Sequence, residues 1–384
     1  MRTLERRLSR LACLLVGALV VACGGGGGGA AGGGGASNAG VAYAKAQVDR
    51  YLGLPRWIAP GPSFDAKAAA QGKTLFVIPV TNTVPFVQTI SDGMARISGQ
   101  MGINYVEWPN QGQPSQWVQG MNAAIDRKAS SIDLLAGLNP QLVMPQVVAA
   151  KNAGIGTVVS HLYDVHQAKA PNLAATVDIP YEQAGRLLAD WVIWKTGGKA
   201  DVLAIRVDEV LSTVPMMTGI KDEFQRHCGS SCKLTSFNVS VVDVATAIQP
   251  EVQSALVRDP NINYIIALYD SAEAPFAVAG VKAAGRQNQV KVVTFNGTPS
   301  VLQMVANHDV VEMDIGENLD WIAYAIMDQH MRLFAGLPPV ADPHIPLRIF
   351  DANNIAQTGN PPQNSTGYGN EYQQQYRQLW KVSS

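Results

Sequence analysis

Hydrophobic and polar positions follow one recurring pattern along most of this chain. Residues 75–80 form a short apolar, β-branched run, the pattern of a strand buried on both faces. A polar break follows at residues 81–83. Apolar residues then recur at helical spacing over residues 86–97, and Pro85 stands where the first turn of a helix accepts proline. The pattern predicts a strand, a polar loop and a helix that begins with the aromatic Phe86.

The same unit recurs in two series. The first series has predicted strands at residues 75–80, 103–108, 132–138, 155–160 and 174–177. The second has predicted strands at residues 201–207, 234–239, 262–268, 290–295 and 310–314. Predicted helices separate these strands, and strands that alternate with helices form parallel sheets with both faces covered. We therefore predict an α/β fold with two Rossmann-like lobes.

Two further stretches have a local interpretation. The sequence HLYDVHQ, at residues 161–167, is predicted to be the loop that follows the fourth strand. Near the C-terminus, EYQQQYRQLWKV places four apolar residues on one helical face: Tyr372, Tyr376, Leu379 and Trp380. This segment is predicted to be a short helix that docks on one lobe.

The N-terminal residues have the pattern of an export signal. Residues 1–22 begin with basic side chains and continue with an apolar run that is too short to span a bilayer of about 30 Å as a helix. The run ends in VVAC, which resembles a bacterial lipobox with Cys23 as the acylated residue. An ordinary cleaved signal or an unmodified cysteine are the alternatives. The glycine-rich stretch 24–35 is typical of a flexible tether, which favours a lipid anchor at Cys23.

Composition narrows the possible partners. The 384 residues include 29 basic and 30 acidic side chains, and 47% of them are hydrophobic. Removing residues 1–22 takes away four arginines and one glutamate, so 25 basic and 29 acidic residues leave a net charge of −4. A weakly acidic exported chain argues against nucleic acid as a partner. The length is that of two domains as a first expectation.

The cysteines indicate a disulfide rather than a metal site. Cys13 would leave with the signal and Cys23 would carry lipid, so Cys228 and Cys232 remain in a compartment where disulfides persist. We predict that these two form a structural disulfide, because a zinc site would need further ligands nearby. His161, Asp164 and His166 lie close in sequence but have no second cluster of ligands to join, so we expect no metal. We also expect no cofactor.

Five stretches between residues 72 and 351 carry a family resemblance through their order. They are TLFVIPVTNTVPFVQTISDGM, AAKNAGIGTVVSHL, VDIPYEQAGRLLADWV, NYIIALYDSAEAPFAVAGVKAAG and VVTFNGTPSVLQMV. In this order they resemble the type I periplasmic binding proteins, the ribose-binding-like solute receptors of ABC importers. The resemblance implies two lobes that are joined by three crossings and close like a hinge around a small solute, a form that a membrane permease recognises.

The resemblance also implies domain bounds. The three crossings would lie near Asp178, at residues 314–317 and near Val340. The N-terminal lobe would be residues 73–178 plus 317–340, and the C-terminal lobe 179–316 plus 341–352. Residues 23–72 would be the tether and leader, and 353–384 the C-terminal tail helix.

A ligand shell follows from the same resemblance, loop by loop. Asn82 and Phe86 match the family's polar-plus-aromatic start, and His161 falls where sugar binders carry an aspartate. The other candidates are Trp108, Tyr181, Met217, Thr218, Tyr269, Asp270, Asn296 and Glu317. Trp108 has packing as its alternative role.

Compared with the ligand-binding residues of the sugar binders, these candidates include fewer charged side chains. Carboxylates and a guanidinium that would grip hydroxyl groups are largely replaced by His, Leu, Met, Tyr and Asn. Hydroxyl groups that are buried without hydrogen-bonding partners cost about 1–3 kcal/mol each, so a site that has lost those partners binds them poorly. We therefore expect a less polar cyclic or aromatic solute, with a sugar-like solute as the alternative.

Three functional classes are consistent with these sequence features. The favoured one is a monomeric, lipid-anchored solute receptor of an ABC importer, at the periplasmic or cell surface. The second is a sensory receptor that presents its liganded form to a membrane kinase, and the third, more remote, is an exported hydrolase. The sequence has no GxSxG, HExxH or GxxxxGK[ST] motif, and no GxGxxG that opens a helix after a strand, so we predict that it is not an enzyme.

Overall fold

The computed structural model describes residues 38–382. The predicted signal at residues 1–22, Cys23 and the glycine-rich stretch lie outside the described residues. Two helices precede the first strand: α1 (Asn38–Leu52) and α2 (Ala66–Ala70). Both lie within residues 23–72, which were expected to form the tether and leader.

A first sheet of five parallel strands follows. Its strands are β1 (Thr74–Pro79), β2 (Asn104–Glu107), β3 (Ser131–Leu135), β4 (Gly156–Asp164) and β5 (Ala175–Ile179), in the order β2-β1-β3-β4-β5. Between them run α3 (Pro85–Met101), α4 (Pro114–Asp126) and α5 (Met144–Asn152). Strands β1 and β3 are almost wholly buried, as their apolar, β-branched sequences predict for central parallel strands.

A second sheet of six strands is built from the rest of the chain. Its strands are β6 (Asp201–Arg206), β7 (Lys233–Asn238), β8 (Tyr264–Ala267), β9 (Lys291–Asn296), β10 (Val311–Glu317) and β11 (Leu347–Asp351), in the order β11-β10-β9-β8-β6-β7. All pairings are parallel except β10 with β11, which is antiparallel. The helices of this half are α6 (Tyr181–Lys195), α7 (Thr213–Glu223), α8 (Val244–Arg258), α9 (Asp270–Ala283) and α10 (Pro299–Ala306).

The chain passes between the two sheets three times. It leaves the first sheet between β5 and α6, and it returns between β10 and α11 (Leu319–Phe334), a helix that packs on α3. It crosses again between α11 and β11. The close packing of α11 on α3 depends on Gly93, because a Cβ atom there would lie 2.8 Å from the Cβ atom of Ala323. Two mostly parallel α/β sheets are therefore present, as the sequence predicts.

Strand β4 is longer than expected. The segment HLYDVHQ was predicted as a loop, but β4 continues to Asp164 because Leu162 and Tyr163 are buried in the core. The pairing of β4 with β5 shifts register between Ser160 and Asp164, and His161 within this bulge has a φ of +57°. A bulge changes the direction in which side chains leave a strand, and His161 lies within this one.

The leader and the tail pack on the core of the fold. Helix α1 packs on α6, and the backbone N–H of Phe64 donates to the carbonyl of Leu379 at 2.9 Å. The tail contains α12 (Glu371–Leu379), which packs on α11, where Tyr376 and Trp380 stack against Tyr324. The apolar face expected for this helix is thus buried.

Cys228 and Cys232 are joined by a disulfide just beyond α7. Within residues 38–382, none of the helices has both the length and the apolar character needed to cross a membrane.

Candidate ligand-binding site

A cavity of about 450 Å³ lies where the carboxyl ends of strands from both sheets meet. In open α/β sheets this edge is where ligands bind, because the loops after the strands are free to carry side chains. Five of the residues expected from the sequence line the cavity: Phe86, His161, Tyr181, Tyr269 and Asn296. They come from elements of both sheets, so the tertiary structure brings them together from widely separated positions.

Aromatic rings form one side of the cavity. The Phe86 ring, at the start of α3, lies 4.9 Å from the His161 ring with an interplanar angle of 63°. The His161 ring in turn lies 5.8 Å from the Tyr181 ring, at 88°. Successive rings are therefore steeply inclined to one another, and together they form walls rather than a stack.

Glu317, behind the lining of the cavity, connects His161 with Asn296. Its Oε1 atom accepts hydrogen bonds from His161 Nε2 at 2.8 Å and from Asn296 Nδ2 at 2.9 Å. A carboxylate only accepts hydrogen bonds, so Nε2 of His161 carries the hydrogen. The Tyr181 hydroxyl lies 3.2 Å from Nδ1 of the same ring. Both ring nitrogens of His161 are thus occupied by protein groups.

Asn296 reaches Glu317 through an unusual backbone. It ends β9 with a φ of +133°, and Gly297 follows with a φ of +70°. A Cβ atom at Gly297 would lie 2.5 Å from the Cα atom of Gly316, so only glycine allows β9 and β10 to approach here. Strained backbone of this kind is often found at functional sites.

Tyr269 also has its hydrogen bonds within the protein. Its hydroxyl lies 2.8 Å from Ser212 Oγ and 2.9 Å from Thr213 Oγ1. Burial raises the pKa of Tyr269, so the hydroxyl keeps its proton and the ring presents a neutral surface. The Tyr269 ring therefore offers the cavity mainly its aromatic surface.

Two candidates from the first sheet do not line the cavity. Asn82 is held in its loop: its Nδ2 donates to Glu107 and its Oδ1 accepts from the backbone N–H of Asn110 at 2.6 Å. Trp108 packs against Gly120 and donates from Nε1 to the carbonyl of Gln116 at 2.9 Å. The alternative role considered for Trp108, packing, is the one that this geometry supports.

Four candidates from the second half also lie outside the lining. Met217 is buried within α7, and the hydroxyl of exposed Thr218 donates to the carbonyl of Val214. Asp270 is buried and accepts from the backbone N–H groups of Ser271 and Thr298. Glu317 stands behind His161 and Asn296 and supports them.

The sequence reasoning missed several lining residues. They are Ala136, Gly137, Asn139, Val207, Glu209, Val210, Leu211, Ser212, Val241, Val244, Ser271 and Ala272. Many of them follow the carboxyl ends of strands, and this position is the signal that could have identified them. Helix α7 begins at Thr213, so the loop before it, rather than Met217 or Thr218, faces the cavity.

The sequence between β1 and the end of α11 identifies the family. Residues 75–338 match the family model of the periplasmic binding protein domain. The chain belongs to the periplasmic binding protein family. This family consists of binding proteins, so the chain is not assigned to an enzyme class. No curated protein sequence matches it.

Solved structures of periplasmic binding proteins have the same fold. An ABC sugar transporter subunit from Rhodobacter sphaeroides is 17% identical, with a TM-score of 0.64 over 74% of this chain and 99% of that one. The Caulobacter myo-inositol binding protein, bound to myo-inositol, is 18% identical, with a TM-score of 0.65 over 76% and 98%. A Burkholderia graminis solute-binding protein in complex with D-arabinose is 18% identical, with a TM-score of 0.64 over 74% and 97%.

Within residues 38–382, no three His, Cys, Asp or Glu side chains are grouped closely enough to hold a metal ion. His161, one of the residues considered for such a group, lies within hydrogen-bonding distance of Glu317 and Tyr181.

Proposed function

We propose that this chain is the exported, lipid-anchored solute-binding protein of an ABC importer. The observation that carries the proposal is the cavity at the carboxyl ends of both sheets, in a chain of the periplasmic binding protein family. The three passages between the sheets provide the hinge, and closure around the solute creates the form that a permease recognises. Cys23 provides the lipid anchor, and the glycine-rich stretch provides the tether.

The lobes of this proposal follow the bounds expected from the sequence. Residues 73–178 plus 317–340 form the N-terminal lobe, and 179–316 plus 341–352 form the C-terminal lobe. Phe86 and His161 then face the solute from the first lobe, and Tyr269 and Asn296 face it from the second. Closure brings these groups onto opposite sides of one bound molecule.

The solute is less polar than a simple sugar. Proteins of similar fold are bound to D-arabinose and to myo-inositol, whose hydroxyl groups need many hydrogen-bonding partners. In this cavity the polar atoms of His161 and Tyr269 already have partners in the protein, and most other lining residues are apolar. Such a lining suits an apolar ring with few polar groups, since hydroxyl groups buried there would lack partners.

A thermal-shift screen tests the binding function. The sample is the chain from residue 23 with Cys23→Ser, which retains all the described helices and strands. Compounds are sugars, polyols, nucleosides, and aromatic and terpenoid molecules. A ligand at a hundred times its dissociation constant stabilises the folded protein by about 2.7 kcal/mol, which gives a clear shift. Stabilisation by apolar cyclic compounds is expected; stabilisation by simple sugars alone would contradict the proposed solute class.

A double variant tests the location of the site. Phe86→Ala with Asn296→Gly should abolish the ligand-induced shift and leave the protein folded, because glycine tolerates the positive φ at position 296. The control is Thr218→Ala, which changes an exposed residue outside the cavity and should leave the shift intact. Ligand binding that survives the double change would place the site elsewhere.

A further inference from the structure

The charged side chain among the described residues that line the cavity is acidic. Of the described residues that line the cavity, none is a lysine or an arginine. Glu209 brings a carboxylate to its exposed rim. Behind the lining, the fully buried Glu317 side chain has one oxygen, Oε2, with no hydrogen-bond partner among the described residues. Negative charge near the cavity is thus not balanced by basic side chains in its wall.

Backbone N–H groups at helix N-termini often hold anionic ligands, but here several such groups donate to the protein's own carboxyl groups. Glu209 accepts from the N–H of Val241 at 3.1 Å. Asp270 accepts from the N–H of Thr298 at 2.6 Å and also from that of Ser271. Two further pairs follow the same rule: Glu273 with the N–H of Tyr269 and Asp314 with the N–H of Gly297. These N–H groups already have acceptors within the protein, so they are not free to donate to an anionic solute.

The carboxyl groups behind this wall have no basic partner. Among residues 38–382, none of Asp270, Glu273 and Asp314 forms an ion pair with a lysine or an arginine. Burial raises the pKa of Asp270 to about 6 and that of Glu273 to about 8. A positive charge brought near them would favour their ionised forms.

Aromatic rings supply the complementary surface. Phe86, Tyr181 and Tyr269 line the cavity, and the two tyrosine hydroxyls lie within hydrogen-bonding distance of other protein groups. A cation over an aromatic face is attracted by the negative potential of the ring, and the attraction grows when water is excluded. Quaternary and alkylated ammonium groups suit such an aromatic wall because they carry charge but need few or no hydrogen bonds.

We infer that the solute of this cleft carries a positive charge on an apolar frame, as in an alkylammonium group attached to a ring. The charge lies against the aromatic wall, with the carboxylate of Glu209 at the rim. This inference rests on the proposed function, since it specifies the solute of the same cleft. It excludes anionic solutes, and it distinguishes a cation from a neutral molecule of the same shape.

Three probes of nearly equal shape test the charge. Phenyltrimethylammonium, tert-butylbenzene and benzenesulfonate each carry a phenyl ring with a tetrahedral substituent, and their charges are +1, 0 and −1. Binding to the chain from residue 23 with Cys23→Ser is measured by calorimetry and by thermal shift. The cation should bind about 10-fold more tightly than the neutral probe, and the anion should not bind. Equal binding of the neutral probe, preferred binding of the anion, or no binding of the cation at millimolar concentration would overturn the inference.

A matched pair of variants locates the effect. Glu209→Gln should weaken binding of phenyltrimethylammonium about 3- to 10-fold and leave tert-butylbenzene unaffected, because the amide keeps the acceptor for Val241 but removes the charge. The control is Asp208→Asn, which removes a neighbouring surface charge paired with Arg206 outside the cavity. An equal effect of both variants would reduce the result to general surface electrostatics and overturn the role of Glu209.

Phe86→Ala separates this inference from the proposed function. If all three probes bind alike and Phe86→Ala abolishes their binding, the cleft is a solute site but the charge inference is wrong. If binding of the cation is unaffected by Phe86→Ala, the probe binds elsewhere and the proposed binding site is wrong as well.

Discussion

His161 and His330 each hold a buried carboxylate, but one pair faces the cleft and the other lies in the core. His330, on α11, is fully buried; its Nδ1 lies 2.9 Å from Ser131 Oγ and its Nε2 lies 3.0 Å from Asp133 Oδ2. Ser160 completes the cluster by donating to Asp133 Oδ1 at 2.8 Å. The core cluster therefore fastens α11 to strands β3 and β4 of the first sheet.

The cleft cluster has a different design. Glu317 accepts from His161 of the first sheet and from Asn296 of the second, so its bonds join elements that come from both sheets. Its second oxygen has no partner among the described residues, and the His161 side chain is 10% exposed. A histidine–carboxylate pair thus stabilises a fixed helix in one place and shapes a ligand surface in the other. Burial and the elements joined, rather than residue type, separate the two roles.

The largest effect is expected in the core. His330→Ala removes a partner from buried Asp133 and should lower the free energy of unfolding by about 3 kcal/mol. Urea unfolding measures this loss, and calorimetry on the folded fraction should find the affinity for phenyltrimethylammonium unchanged. A large loss of affinity with unchanged stability would reverse the roles assigned to the two clusters.

In the cleft, the aromatic wall should matter for binding more than for folding. Phe86→Ala should weaken binding of phenyltrimethylammonium by about 2 kcal/mol, which is roughly a 30-fold change in the dissociation constant. The free energy of unfolding should fall by less than about 1 kcal/mol, because the ring is only partly buried. Calorimetry and urea unfolding on the same sample separate the two quantities; a loss of stability as great as that of His330→Ala would assign Phe86 to the core.

A pH experiment tests the unpaired carboxyl groups on the cleft side. Burial raises the pKa of Glu273 to about 8, so the folded protein holds a proton that the unfolded chain releases near pH 4.5. The stability that this group contributes is complete below that pH and is lost as the pH rises through about 8. Between pH 6 and pH 7, this group should lower the free energy of unfolding of the original chain by about 1 kcal/mol. The Glu273→Gln variant should lack this part of the decrease. Identical pH profiles would show that Glu273 keeps its ordinary pKa.

The smallest effect is expected from an isosteric change in the cleft cluster. Glu317→Gln keeps an oxygen that can accept from His161 and Asn296, so the free energy of unfolding should change by less than about 1 kcal/mol. Binding of phenyltrimethylammonium should weaken a few-fold because a nearby negative charge is lost. Asp133→Asn is the matched change in the core, and it should leave this affinity unaltered. Equal losses of affinity in both variants would mean that the two clusters are not independent.

Local pattern was sufficient for much of the fold. The strands Thr74–Pro79, Asp201–Arg206 and Lys291–Asn296 lie within one residue of the bounds predicted from short apolar runs. Phe86 was expected near the ligand from the family resemblance, and it lies at the start of a helix after a parallel strand, at the ligand-binding edge of the sheet. These features depend on residues that are near one another in sequence, so the sequence alone determines them.

Tertiary structure decided the rest. Strand β11 exists because residues 347–351 pair antiparallel with β10 after the chain has crossed through α11, a long-range pairing that no local pattern announces. Asn82 is a residue type that suits a ligand contact, but its amide nitrogen and oxygen are hydrogen-bonded to Glu107 and to the backbone of Asn110. His161 and Asn296 meet only through Glu317, at positive φ angles that the packing of strands imposes. Whether a polar atom faces a solute or a protein partner depends on residues far away in the chain, and only the folded structure brings those residues together.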